Sequence, residues 1–62
     1  MRLEDISQGS KLEGILPGQT IDILNVAWHG SNVLEITFRD EAGHPGQELL
    51  YRDSEARISV QA

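Results

Sequence analysis

Sixty-two residues without a cysteine allow one domain, near the size at which chains begin to need staples, and exclude disulfides and thiolate metal sites. Ten acidic against five basic residues leave a net charge of −5, which opposes the phosphate-backbone grip that a basic stripe provides. No apolar run approaches the ~20 residues of a membrane span, and Met1-Arg2-Leu3-Glu4-Asp5 is unlike a signal peptide, so the chain reads as a soluble cytoplasmic domain.

Leu3 and Ile6 come first, spaced by three and flanked by Glu4 and Asp5. One helical turn and an extended lead-in with two apolar anchors fit that spacing equally well. Gly9-Ser10 ends the segment. Lys11 to Leu16 is expected as the first strand, with Leu12 inward and Gly14 marking a close approach or a bend. Pro17-Gly18 is a turn dipeptide.

Thr20 to Tyr51 holds most of the apolar side chains and predicts three strands joined by two tight turns. Ile21 and Ile23 alternate with Asp22, after which Leu24, Val26 and Trp28 carry the apolar side on the other parity. That phase slip predicts a bulge near Leu24–Asn25, bending the strand so that it serves two sheet faces. His29-Gly30-Ser31-Asn32 is a turn cluster with Gly30 at positive φ. Leu34, Ile36 and Phe38 alternate with Glu35, Thr37 and Arg39. Asp40 to Gly43 predicts a turn closed by a left-handed glycine. In the next strand Gln47, Leu49 and Tyr51 share one face, while Glu48, Leu50 and Arg52 share the other.

Asp53 is the expected cap of one 3-10 turn, and Ile58 with Val60 predicts a short closing strand. Strand, turn, three-strand meander, 3-10 turn and closing strand is the order of a five-stranded SH3-like barrel, so the fold class is all-β. An OB-type barrel competes but needs longer strands and an inserted helix. Residues 1–62 are thus expected to be a single SH3-like β-barrel domain. Beginning at a methionine and stopping behind a strand, they read as a piece of a longer protein.

Candidate functional residues are few. Phe38-Arg39-Asp40 and Tyr51-Arg52-Asp53 echo each other at two strand ends, either as partner-contacting anchors or as strand punctuation with the aromatic in the core. Punctuation is the favoured of the two. Trp28 and His29 could grip a partner at a barrel rim, with Tyr51 near the indole. The favoured alternative makes Trp28 the chief core residue. Trp28, His29, Arg39, Tyr51 and Arg52 are therefore the candidate interaction surface.

His29, Ser31 and Asp40 supply the residue types of a hydrolase triad, but a triad also needs an oxyanion hole and a cleft, which a barrel of this size rarely has room for. His29 and His44 have no matching ligand pair for zinc, the acids are too scattered for calcium, and no phosphate loop follows any glycine. Neither a catalytic residue nor a cofactor is expected.

Arg2-Leu3-Glu4-Asp5-Ile6, Leu12 to Pro17, Trp28-His29-Gly30-Ser31, Phe38 to Gly43 and Glu48 to Asp53 together resemble the N-terminal segment of large bacterial and archaeal superfamily-two helicases of the Swi/Snf-like type. The resemblance spans nearly the whole chain. It implies an accessory domain ahead of an ATP-dependent nucleic-acid translocase, with ATP binding and hydrolysis in the full-length protein only. No Walker A loop is present, and Asp40-Glu41-Ala42-Gly43 lacks the last residue of a helicase Asp-Glu-Ala-Asp/His box. The expected function is a non-catalytic interaction module that docks on the motor or on another protein. The alternative is a nucleic-acid-contacting module that gathers Arg39, Arg52 and Arg57 on one face.

Overall fold

The computed structural model describes residues 2–61, so Met1 and Ala62, the two ends of the expected domain, lie outside the described residues. Leu3–Asp5 form a 3-10 turn, which decides between the two readings of the lead-in. Strand β1 is Lys11–Glu13, β2 Thr20–Trp28, β3 Val33–Arg39 and β4 Pro45–Tyr51. A second 3-10 turn, Arg52–Ala56, precedes β5, Ser59–Gln61. All neighbouring strands are antiparallel, in one sheet ordered β4-β3-β2-β1-β5. The all-β class, the five strands and the 3-10 turn before the last one are as expected. The sheet itself is open, with β4 and β5 at its two edges.

Alternation explains which side is covered. On β3, Leu34, Ile36 and Phe38 are buried, while Val33, Glu35 and Thr37 on the other parity are half-buried. Their cross-strand partners share the covered face: Trp28 and Leu50 lie opposite Leu34, and Val26 and Glu48 opposite Ile36. Between Ile23 and Asn25 the register shifts, leaving Leu24 as the extra residue of the expected bulge. Before it, β2 pairs with β1 and buries Ile21 and Ile23; beyond it, β2 pairs with β3 alone. Leu12 on β1, together with Leu3, Ile6 and Ile58 from outside the strands, completes the core. On β4, Gly46 leaves room for the Phe38 ring, whose Cζ would stand 2.7 Å from an added Cβ.

Both hairpin turns carry their glycine at positive φ, Gly30 at 80° and Gly43 at 86°. In the second, Asp40 Oδ1 accepts from the N–H groups of Ala42 (3.0 Å) and His44 (2.8 Å).

Three expectations need correction. β1 stops at Glu13 rather than Leu16, because Gly14 turns to φ 106° with its α-carbon against the Arg57 carbonyl. Asp53 is not the cap of the second 3-10 turn. Tyr51 occupies the cap position, and its N–H donates to the buried Ser54 Oγ at 3.4 Å. Trp28 is not the centre of the core: it lies on the covered side but at the end of β2, and it is 43% exposed.

Candidate functional site

Arg52 ties three segments together. Its guanidinium forms a bidentate pair with Glu4, Nη1 to Oε1 at 2.7 Å and Nη2 to Oε2 at 2.8 Å. Nη1 also donates to Glu55 at 3.1 Å, Nη2 to the Ser31 carbonyl, and Nε to Asn32 Oδ1 at 3.4 Å. The group lies 5.6 Å from the centroid of the Trp28 ring, within cation–π reach. Glu55 completes the clasp by accepting from the Leu3 N–H at 2.7 Å. The first 3-10 turn, the β2–β3 turn and the second 3-10 turn are thus pinned at one end of the sheet.

The carboxylates register this arrangement. The Arg52 hydrogen bonds, with the Glu4 N–H second, lower the Glu4 carboxyl from 4.5 to about 2. The Leu3 N–H, then Arg52, lower Glu55, and Arg52 is itself raised by Glu4 and Glu55. Both acids bind protons less readily folded than unfolded, so the unfolded state protonates first as pH falls. The Glu4 contribution is whole above the ordinary value of 4.5 and is lost as pH drops towards about 2, and that of Glu55 is lost below 4.5 in the same sense. Urea midpoints of the native chain should therefore fall with acidification across that window. Glu4→Gln should give a lower midpoint at neutral pH and a flatter acid limb; parallel limbs would refute the clasp.

The candidate surface does not assemble as one patch. Trp28 and Arg52 meet at the covered side of the sheet end. Tyr51 pairs with Val33 on the opposite face, so indole and phenol are not neighbours on one surface. His29 shares that opposite face, where its Nε2 lies 3.0 Å from Glu35 Oε1. Arg39 pairs with Pro45 at the far end of β4, six residues or roughly 20 Å from Tyr51. Nor do the triad residue types converge, since Asp40 sits in the β3–β4 turn and His29 at the other end of β3. Among the described residues no group of three His, Asp or Glu side chains could hold a metal ion. Among the described residues no helix is long and apolar enough to cross a membrane.

A different feature emerges at β4. Asp40 N–H donates to the His44 carbonyl, and ladder alternation makes Phe38–Gly46, Ile36–Glu48 and Leu34–Leu50 the hydrogen-bonded pairs. The main-chain groups of Gln47 and Leu49 then point away from β3, towards the open edge. Leu49 is 43% exposed and Tyr51 49%, two positions apart on one face. A cleft of about 320 Å³ lies against Leu49, Tyr51 and Glu35. Another of about 310 Å³ separates β4 from Gly14–Ile15 and Ile58 along the open seam. A third cleft, about 660 Å³, lies beneath the Gly14–Gln19 loop, with Glu13 and Arg57 as the charged groups among the described residues that line it. Sequence alternation already put Leu49 and Tyr51 together opposite Leu50; that β4 would be an edge was not readable without the pairing order.

An open, five-stranded antiparallel sheet with its unpaired β4 edge beside two clefts defines a small all-β domain. A family model matches residues 2–59, and the chain belongs to that family, described as Domain of unknown function (DUF8742). No curated protein and no solved structure matches it.

Proposed function

We propose that this is a non-catalytic, SH3-like interaction module of a cytoplasmic helicase-like protein, an ATP-dependent nucleic-acid translocase, and that the module docks on protein. The strand order supports the SH3-like part. A meander from β1 to β4, a 3-10 turn and a β5 that returns to β1 follow the path of such a barrel, and the Leu24 bulge lets β2 serve both halves. The helicase context rests on the segments from Arg2 to Asp53 that resemble the superfamily-two N-terminus.

The observation that carries protein docking is how the cations are used. Lys11 pairs with Asp22 at 2.7 Å, Arg52 with Glu4 and Glu55, and Arg2 lies 3.9 Å from Glu4. Among the described residues Arg39 and Arg57 have no ion pair, and β4 separates Arg39 from the turn that leads to Arg57. Arg39, opposite Pro45, therefore stands at the far end of β4 from Arg52 and does not join it on one phosphate-gripping face.

Two measurements test the reading. Sequencing the reading frame that carries this chain should reveal a superfamily-two motor following it; a frame without one removes the helicase context. Fluorescence anisotropy with labelled duplex and single-stranded DNA at ~50 mM salt should show no binding. Binding with a steep salt slope would move the assignment to a nucleic-acid module.

A further inference from the structure

The edge of β4 carries few of the usual guards against pairing, chiefly one charged side chain, Glu48, on the covered parity. Edge strands in soluble proteins are commonly very short, bulged, interrupted by proline or studded with lysine. β4 has seven residues in unbroken register with β3, its proline stands at the first position, and it contains no lysine. The opposite edge, β5, has only three residues. Gln47 and Leu49 offer N–H and C=O groups at the two-residue spacing that an added strand would use.

Charge discriminates among occupants. The clefts on either side of this edge are lined by Glu35, Glu48 and Asp53 against one cation, Arg57, whose guanidinium donates to Ser54 Oγ at 3.2 Å. Glu35 is engaged with His29, whereas Glu48 and Asp53 have no ion pair among the described residues. Glu48 stands in mid-strand, opposite Ile36 on the covered parity. Two β4 edges pairing with each other would bring this carboxylate near its copy, between chains that each carry −5. A cationic strand meets the same carboxylate favourably.

We infer that the β4 edge receives an extended segment of a protein partner as an added strand, one whose lysines or arginines alternate with apolar residues. The basic side chains face Glu48 and Asp53, and the apolar ones lie against Leu49 and Tyr51 on the other face. Main-chain hydrogen bonds from Gln47 and Leu49 supply the affinity, and the acidic row supplies the selection. This deepens the docking reading above and rests on it, but its test is separate: a reading frame without a motor would remove the helicase context and leave the result at β4 standing.

The isotope-labelled chain is titrated with a synthetic peptide alternating lysine with valine, and with its glutamate counterpart. The lysine peptide should shift resonances of β4 and the second 3-10 turn and slow amide exchange at Gln47 and Leu49, while the glutamate peptide does neither. Glu48→Lys should weaken the lysine peptide about tenfold. Leu49→Pro removes an edge N–H without touching the β3 ladder and should abolish binding. Absence of binding, shifts centred on Trp28, or affinity indifferent to Glu48→Lys would each overturn the proposal. So would self-association of the free chain through β4, which would make a second copy the occupant.

Discussion

Gly14→Ala is expected to unfold the domain or to destabilise it by at least ~3 kcal/mol. At φ 106° an L-residue is strained, and the new methyl would fall on the Arg57 carbonyl oxygen and crowd Ile58 Cα. Neither neighbour can yield, because both are main chain and both lead into β5, whose register with β1 runs Glu13–Ser59, Leu12–Val60 and Lys11–Gln61. Gly30→Ala provides the control. Its φ is 80°, and nothing lies within 4 Å of the added carbon, so only conformational strain of about 1 kcal/mol is expected. Urea denaturation compares the two directly; equal losses would mean that β1 and β5 do not meet at Gly14.

Leu34→Ala should come next, costing about 2–5 kcal/mol. Leu34 is fully buried, at the point where β2, β3 and β4 present Trp28, Leu34 and Leu50 side by side. A chain of this length has about 3–9 kcal/mol of stability in total, so the variant would be partly unfolded at room temperature. Trp28→Ala should cost less, about 1–2 kcal/mol, although tryptophan is the larger side chain. The indole is 43% exposed and loses only part of its contacts. A Trp28→Ala loss larger than that of Leu34→Ala would restore the indole to the core.

Local pattern carried most of the fold. The parity slip across Leu24 announced the bulge, Gly30 and Gly43 announced the hairpin turns, and Leu34-Ile36-Phe38 announced the buried face. These depend on neighbours within a few positions. Trp28 misled because burial also depends on where a strand ends: its parity faces the covered side, yet it lies in the last position of β2, where the sheet no longer covers it. Arg52 was readable as a surface group only until Glu4 came to meet it from 48 positions away. No spacing rule connects those two residues; only the packing of the first 3-10 turn beside the second does. Likewise Leu49 and Tyr51 were legible as one face of a strand, but their standing at an open edge follows from the β4-β3-β2-β1-β5 order.

That open edge is what the docking reading needs, and amide hydrogen exchange on the free chain measures it residue by residue. Gly46, Glu48 and Leu50, bonded to β3, should exchange slowly, with Gln47 and Leu49 at least ~100-fold faster. Uniformly slow exchange along β4 would contradict the account, because the edge would then already be covered.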